Sequence, residues 1–498
     1  MNRRAFLKTV SMGSAAAAAA LSAPNLMRAL AREDFPEPLR APANIEARTP
    51  AAHLLNRISF GAQVGDVEAV SRMGIEAYIQ SQLNPTDLDD SAAEARLADL
   101  ITLDMTPQEM LAAGFQPGQI VSQLIQATIT RSVYSTRQLY EVMVNFWSEH
   151  FSIYHRKGVC TILKTGDDRD VVRANALSNF RDLLHASAKS PAMLFYLDNA
   201  GSNKQHPNEN YARELMELHT ITVGNYTEED VKEVARAFTG WSIRGRRGEF
   251  IFNQRIHDNG EKRTLGLVIP ANGGIRDGEI ILDHLATHPS TAKHIASKLV
   301  RRFISDDPPQ PVVDAVAAEF LRTGGDVRAM LNVIFASPEF WSAPPKFKRP
   351  YEFLIGTLRA FNANPRANVY RLIGLALRNM GHLPFDWPSP DGYSDYAKDW
   401  IGNMLSRWNW IIQLMNEGRR FGVDPIRLAQ QQGQRTWDAM LTFYANHLLG
   451  RTLTDAENST ILDYAQKIGT PNLLTADGRA VILEMIALIA ASPAYMYR

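Results

Sequence analysis

A long stretch of this chain, from Gly118 to Tyr154, contains no further glycine or proline. Its apolar residues recur at helical spacing: Ile120, Leu124, Ile125, Leu139, Val142, Met143 and Phe146. Apolar positions three and four residues apart lie on one face of an α-helix. The stretch therefore predicts two helices, or one long helix, with a buried face.

Helix signals also dominate the remaining sequence. Thr49 followed by Pro50 is typical of an N-cap and a first helical residue, and Thr227 precedes three acidic residues that suit a helix N-terminus. The exception is residues 241–274, where two short apolar runs lie among glycines and predict a small β-hairpin or ordered loop. We therefore predict a mainly α fold: a multi-helix globular body with a small irregular or β-hairpin insertion around residues 245–274.

The first residues have the pattern of an export signal. Arg3 and Arg4 begin a segment that resembles a twin-arginine signal, an alanine-rich run follows, and Ala29-Leu30-Ala31 forms a small-x-small cleavage site. We expect residues 1–31 to be a signal peptide recognised by the twin-arginine export machinery. The mature protein would then be periplasmic or extracellular, without a stable membrane span. Residues 32–48 are predicted to be extended and residues 49–498 to form a single large helical domain, lobed near 306–311.

Composition excludes several classes of protein. The 53 Lys and Arg residues balance 53 Asp and Glu residues, so no basic surface for nucleic acid is expected. Cys160 is the one cysteine, which rules out an intramolecular disulfide and a thiolate metal cluster. The sequence also contains no G-x-S-x-G elbow, P-loop or H-E-x-x-H motif, so the commonest hydrolase and NTPase signatures are missing.

The run from Asn208 to Thr220 predicts an amphipathic helix with two distinct faces. Tyr211, Leu215 and Leu218 share an apolar face, whereas Asn210, Glu214 and Glu217 share a polar one. Glu209, Arg213 and Glu217 have the spacing of a ladder of ion pairs on one helix. His219 lies toward the apolar side. These ionisable groups either solvate the helix or do chemistry.

Several motifs together resemble one bacterial family. They are the run 208–220, Phe146-Trp147-Ser148-Glu149-His150-Phe151, the run 257–262 and Pro388-Ser389-Pro390-Asp391-Gly392-Tyr393. With other pieces in matching order they resemble the family catalogued as domain of unknown function 1800, over nearly all of the mature chain. In that family a Trp more commonly follows the glycine at the position of Gly392. The resemblance implies a largely helical and often exported protein, often encoded beside an exported sulfatase-like protein. The resemblance does not imply a particular activity.

Glu214, Glu217 and His150 are the candidate metal ligands. Two carboxylates on one helix and an imidazole from another could bind a divalent metal such as Zn, Mn or Fe. No Glu-x-x-His accompanies Glu214-x-x-Glu217, which disfavours a di-metal centre. The alternatives are buried ion pairing with Arg213 or Arg236, and a core histidine that is satisfied by a carboxylate.

The candidate catalytic residues are His257, Asp258, Lys262 and His219. The first three lie in the glycine-rich insertion, where a His–Asp pair near a lysine could form a general acid/base set. The alternative is a turn in which Asp258 and its neighbour bond to the local backbone before Gly260.

Two functional hypotheses follow from these residues. The first is an exported, metal-dependent enzyme with a Glu/His site that acts on an extracytoplasmic substrate. The second is a non-catalytic partner or assembly factor for a co-exported protein, here of the sulfatase-like type, in which the polar cluster is structural. The first requires Glu214, Glu217, His150 and His257 to converge on one pocket that solvent can reach.

Overall fold

The computed structural model of the protein describes residues 48–245 and 248–498. The predicted signal peptide, residues 1–31, and residues 32–47 of the predicted extended segment lie outside the described residues. Helices dominate the described chain, and its strands form two small antiparallel pairs in and beside the predicted insertion. The prediction of a mainly α fold with a small hairpin insertion is therefore confirmed.

The described residues form a succession of helices along the chain. In chain order they are α1 (Pro50–Ile58), α2 (Asp66–Met73), α3 (Ile75–Leu83), α4 (Ser91–Glu94), α5 (Pro107–Ala112), α6 (Pro117–Tyr134), α7 (Gln138–His150), α8 (Cys160–Gly166), α9 (Phe180–Ala188), α10 (Pro191–Tyr196), α11 (Glu209–Glu217), α12 (Glu228–Ala237), α13 (Ile275–Thr287), α14 (Pro289–Phe303), α15 (Gln310–Thr323), α16 (Val327–Ala336), α17 (Pro338–Trp341), α18 (Pro350–Ala360), α19 (Tyr370–Asn379), α20 (Met404–Asn416), α21 (Gly418–Phe421), α22 (Pro425–Gln431), α23 (Trp437–Leu449), α24 (Asp455–Ile468) and α25 (Ala476–Ala491). The strands are β1 (Trp241–Ile243), β2 (Phe250–Phe252), β3 (Lys262–Thr264) and β4 (Leu267–Ile269).

The described chain divides into two compact units. The terminal unit comprises residues 48–78, 345–382 and 396–498, and the central unit comprises residues 79–344 and 383–395. The proline-rich residues 306–311, where we predicted lobes to divide, instead join α14 to α15 inside the central unit.

The long helical stretch resolves into two helices, α6 and α7. Asp90 separates them: its carboxylate accepts hydrogen bonds from the Ser135 hydroxyl at 2.9 Å and from the Thr136 backbone N–H at 2.7 Å. These bonds satisfy the Ser135 hydroxyl and the Thr136 N–H, which lie in the turn between α6 and α7. The break therefore depends on a residue distant in sequence, and no local glycine or proline marks it.

The core of the central unit consists of packed amphipathic helices. Helix α14 packs on α15, α15 on α16, α11 on α12, and α9 on α13. Asn208 is the N-cap of α11, and its side-chain oxygen accepts a hydrogen bond of 2.8 Å from the Tyr211 N–H. The buried residues of the helix are Tyr211, Ala212, Leu215 and Met216. The predicted apolar face of the run 208–220 is thus the buried face, although the helix ends at Glu217.

Two antiparallel strand pairs follow α12. Strand β1 pairs with β2, with Trp241 opposite Phe252, and β3 pairs with β4, with Lys262 opposite Ile269. Leu265 and Gly266, which join β3 to β4, both have positive φ, at 51° and 77°. Positive φ at both central residues is the geometry of the two-residue hairpin turn that matches strand twist.

In the terminal unit, α25 packs against α20, α23 and α24. Its apolar residues from Val481 to Ala491 are largely buried, as expected of a core helix. Within residues 48–245 and 248–498, none of the helices combines the length and the apolar character needed to cross a bilayer.

Candidate functional site

A partly buried lysine of the central unit, Lys298, lies at the centre of the candidate site. It belongs to α14 and has the buried residues Ile295 and Leu299 as helical neighbours. Its Nζ lies 3.0 Å from Nδ1 of His150, at the C-terminal end of α7. Burial lowers the pKa of Lys298 because desolvation disfavours the charged ammonium. A neutral lysine amine is a base and a nucleophile, so this lysine is better suited to chemistry than one on the open surface.

His150 is held in one tautomer by its two partners. The His219 carbonyl can only accept, so Nε2 carries the proton and donates to it at 3.2 Å, and Nδ1 of the neutral ring accepts from Nζ of Lys298. Burial, with the positive charge of Lys298 next to it, lowers the pKa of His150 well below its usual value. At neutral pH the imidazole is therefore uncharged and serves Lys298 as a hydrogen-bond acceptor.

Two further imidazoles lie beside His150. Its ring centroid is 5.8 Å from that of His219 and 5.9 Å from that of His294. Burial and the charge of Lys298 lower the pKa of His219 to about 3 and that of His294 to about 4. Nε2 of His294 donates to the Leu218 carbonyl at 3.0 Å. We call Lys298, His150, His219 and His294 the lysine cluster.

Carboxylates act on the lysine cluster from outside it. The negative charges of Asp395, Glu149 and Asp391 each raise the pKa of Lys298 and so oppose burial. Glu149 is held by Asn145, whose side-chain amide donates to it at 3.0 Å. Burial outweighs these charges, and the net effect is a lowered pKa of Lys298.

Asp391 and Asp395 are carried by residues 383–395, which we call the aspartate loop. Trp387 donates its indole N–H to Asp391 at 2.8 Å, and the Tyr196 hydroxyl donates to the Pro388 carbonyl at 2.8 Å. Gly392 has a φ of +74°, and a Cβ there would lie 2.1 Å from the Glu149 carbonyl oxygen. Only a glycine can approach the end of α7 this closely, so Gly392 allows the loop to pack beside Glu149 and His150.

The aspartate loop is also anchored at its start. Asp386 accepts two hydrogen bonds from Arg156, at 2.6 and 3.0 Å, and lies 3.2 Å from Nε2 of His155. Burial alone would raise the pKa of Asp386, but the bonds from His155 and Arg156 hold it below its usual value. The His155 backbone N–H in turn donates to the Phe385 carbonyl at 3.0 Å. The segment that follows α7 therefore fixes the loop.

Glu214 and Glu217 of α11 have different environments. Glu217 accepts a hydrogen bond of 2.8 Å from the Tyr226 hydroxyl. Glu214 is half-buried, and burial, the charge of Glu217 and the charge of Asp391 raise its pKa. A carboxyl with a raised pKa keeps its proton closer to neutral pH, as a general acid requires. The predicted ladder does not form, because Arg213 pairs with Glu228 of α12 at 2.7 and 2.8 Å.

The predicted metal ligands do not form a metal-binding group among the described residues. In residues 48–245 and 248–498 there is no set of three or more His, Cys, Asp or Glu side chains placed to hold an ion. His150 uses its two ring nitrogens for Lys298 and the His219 carbonyl, and Glu217 uses its carboxylate for Tyr226. The metal site stays a prediction, and the geometry gives these residues other partners.

The predicted catalytic residues of the insertion form a second, fully buried network. His257, Lys262 and Asp277 are each 0% exposed. One oxygen of Asp277 lies 2.6 Å from Nζ of Lys262 and 3.1 Å from Nε2 of His257. Lys262 also donates to the carbonyls of Asp258 and Gly260, at 2.6 and 2.9 Å. No atom of this triad is open to a substrate, so the arrangement favours a structural role.

Asp258 also has a structural partner. It accepts hydrogen bonds from Arg236 at 2.8 and 3.2 Å and from the Gly260 N–H at 2.9 Å. The last bond is the local turn contact that the sequence left open as an alternative. Of the predicted catalytic residues, only His219 lies in the lysine cluster, where it is 2% exposed.

Sequence reasoning missed Lys298, His294 and Asp395. The available signal was the position of Lys298 in α14, where a lysine three residues after Ile295 and next to Leu299 interrupts an apolar face. A charged residue in such a place is rarely buried without a purpose or a partner. Its partner His150 is 148 residues away in the chain, so spacing alone could not reveal the contact.

The fold and the site define a mainly α-helical protein with a partly buried lysine–imidazole pair beside a carboxylate-bearing loop. The chain belongs to the family described as protein of unknown function (DUF1800), whose model matches residues 53–497. No curated protein and no solved structure matches the chain. Motifs that carried the sequence resemblance, residues 146–151, 208–220 and 388–393, supply Glu149, His150, His219 and Asp391 to the region around Lys298.

Proposed function

We propose that this chain is an enzyme that catalyses acid–base bond cleavage with Lys298 and Glu214. The observation that carries the proposal is the partly buried lysine–imidazole pair, in which desolvation favours the neutral amine of Lys298. Perturbed pKa values caused by desolvation and specific charges are typical of functional sites. In this assignment Lys298 accepts a proton from the attacking water or the substrate, and Glu214 donates one to the leaving group.

Asp391 supports the pairing of these two groups. Its negative charge raises the pKa of Glu214 and also that of Lys298, so it lies within electrostatic reach of both. A pair of titratable groups with oppositely shifted pKa values supplies an acid and a base at the same pH. Here burial lowers the pKa of Lys298 and raises that of Glu214. Asp391, exposed and held by the Trp387 indole, is placed to contact a polar or cationic group of a substrate.

We further propose that the substrate is extracytoplasmic. Support comes from the sequence of residues 1–31, with its paired arginines, apolar run and small-x-small site. Fusing this segment to a reporter that folds before export would test it. Export that stops when Arg3 and Arg4 are replaced by lysine is the expected result, and unchanged export would refute the assignment.

The catalytic proposal is tested with matched variants. Purified protein is incubated with material extracted from the cell envelope and medium of its host, and compounds consumed or formed are followed by mass spectrometry. We expect Lys298→Met and Glu214→Gln to abolish turnover. Lys293→Met on α14 and Glu209→Gln on α11 change exposed residues of the same two helices and should leave it intact. Equal turnover by wild type and Lys298→Met would refute the role of Lys298.

The second hypothesis, a non-catalytic partner, is favoured by one observation. The side chains of His257, Lys262 and Asp277 are fully buried. The partner hypothesis predicts such a structural role for the polar cluster. It predicts that the co-exported sulfatase-like protein forms a complex with this chain that survives gel filtration. It also predicts that Lys298→Met leaves that complex unchanged, with no compound consumed by either protein form.

A further inference from the structure

The central unit contains a cavity of about 530 Å³ that the acid–base site does not use. Its lining includes three arginines, Arg137, Arg173 and Arg328, and one carboxylate, Asp326. Pro85, Ala174 and Leu177 supply apolar surface to the same cavity. A cavity of this size that combines apolar surface with a few convergent polar groups is typical of sites for small organic ligands.

One of the three arginines, Arg173, uses all three of its guanidinium nitrogens to bind carboxylates of the protein. Arg173 forms a two-pronged ion pair with Glu141, with 3.0 Å between Nη1 and Oε1, and its Nε lies 3.2 Å from Asp168. Burial opposes the charged form, but Glu141 and Asp168 outweigh it and raise the pKa of Arg173 above its usual value. The backbone carbonyl of Arg173 also accepts a hydrogen bond of 2.6 Å from the Tyr140 hydroxyl. Each of its guanidinium nitrogens thus bonds to a carboxylate of the protein, so Arg173 fixes the wall of the cavity.

The other two arginines keep donors available. Nε and Nη2 of Arg137 donate hydrogen bonds to the Leu88 carbonyl, at 3.3 and 3.0 Å. Its Nη1 group remains available to a ligand. Arg328 is exposed and has no hydrogen bond or ion pair within the described residues. The Asp326 carboxylate is occupied as the N-cap of α16, where it accepts the Ala329 N–H at 2.9 Å. Two guanidinium groups with unused donors thus line the cavity, and its three arginines outnumber its one carboxylate.

Neutral donors complete the lining. The hydroxyls of Thr86 and Ser178 are exposed at the cavity. Guanidinium groups bind carboxylate, sulfate and phosphate groups with paired, charge-assisted hydrogen bonds. We propose that this cavity binds a small organic anion, whose acidic group contacts Arg137 and Arg328 and whose apolar body packs against Pro85 and Leu177.

The cavity is distinct from the lysine cluster. Both sites use α7, but Tyr140 contributes to the cavity near the helix start and His150 to the cluster at its end. At about 1.5 Å per residue the two positions are roughly 15 Å apart along the helix. The anion site is therefore independent of the proposed acid–base chemistry and can exist without it.

The test is calorimetric titration of the full-length exported protein in a buffer free of phosphate and sulfate. Phenyl phosphate, phenyl sulfate and benzoate are titrated separately, with benzyl alcohol as the uncharged comparison. We expect at least one anion to bind, and to bind at least about tenfold more tightly than benzyl alcohol, because charge-assisted bonds supply the difference. The anion that binds identifies the acidic group.

Variants locate the site. Arg328→Gln removes an exposed, unpaired guanidinium and should weaken binding about tenfold or more without affecting folding. Arg137→Gln should weaken it similarly, whereas Arg322→Gln, which disrupts an exposed pair with Glu319 on α15, should have no effect. The proposal is overturned if none of the three anions binds at millimolar concentration, or if Arg328→Gln binds the anion as tightly as wild type.

Discussion

Replacing Asp277 by asparagine should reveal whether the buried network of the insertion is structural. In the native protein the Asp277 carboxylate lies 2.6 Å from Nζ of Lys262, and both side chains are 0% exposed. The neutral amide of the Asp277→Asn variant would leave the ammonium of Lys262 buried without a counter-charge, with the carbonyls of Asp258 and Gly260 as its remaining strong acceptors. Removing one partner of a buried ion pair costs about 3–5 kcal/mol. That loss is a large fraction of the roughly 5–15 kcal/mol by which a domain is stable.

The assay is urea unfolding of wild type, Asp277→Asn and the double variant Asp277→Asn/Lys262→Met. We expect the single variant to lose about 3–5 kcal/mol of unfolding free energy. The double variant should regain much of this, because removing the ammonium also removes the uncompensated buried charge. A loss below about 1 kcal/mol in the single variant would refute the argument that Asp277 neutralises Lys262.

The pH dependence gives an independent check with a defined sign. Burial would raise the pKa of Asp277, but hydrogen bonds from His257 and Lys262 outweigh it and hold the pKa below its usual value. A carboxyl with a lowered folded-state pKa stabilises the protein above its unfolded pKa of about 3.9, and that stabilisation is lost as the pH falls through the folded-state pKa. Relative to the double variant, wild type should therefore lose stability below about pH 4. An unchanged difference down to about pH 2 would contradict the ion pair.

Three further predictions concern the candidate site. Lys298 should react with an amine-selective acylating reagent at lower pH than the exposed Lys293, because burial lowers the pKa of Lys298, and peptide mapping of the labelled protein checks this. Gly392→Ala should cost at least about 2 kcal/mol in urea unfolding, since its Cβ would meet the Glu149 carbonyl at positive φ, whereas Gly402→Ala enters open space and should cost little. The double variant Glu214→Gln/Glu217→Gln should have the same metal content as wild type by elemental mass spectrometry, and a stoichiometric metal lost only in the variant would restore the metal hypothesis.

The fold was largely predictable because helix periodicity is a local signal. The apolar positions of the run 208–220 identified the buried face of α11, and the structure adds Asn208 as its N-cap. The end of the helix was less certain, since nothing in its sequence stops it at Glu217. The position of the break between α6 and α7 was not predictable. Asp90 binds the two residues at the break, and it precedes Ser135 by 45 residues and Thr136 by 46.

The candidate site was predictable only in parts. His150, His219 and Glu214 were selected from their motifs, and the structure places the first two in the lysine cluster. Lys298 could not be joined to them, because a contact between residues far apart in the chain leaves no spacing pattern. Lys262 was assigned to catalysis because its counter-ion was not recognisable in the sequence. That counter-ion, Asp277, lies 15 residues further on, in the first turn of α13.

The contrast between the fully buried Lys262 and the partly buried Lys298 explains why the proposed chemistry is assigned to Lys298. Lys262 contacts a carboxylate and two carbonyls, which is the arrangement that stabilises a buried ammonium. Lys298 contacts an uncharged imidazole, and within the described residues it has no ion pair, so the carboxylates of Glu149, Asp391 and Asp395 act on it only at a distance. An ammonium placed like that of Lys298 lowers the free energy of unfolding, because no carboxylate of the described residues contacts it. The same placement lowers the pKa of its amine, and a base needs that property.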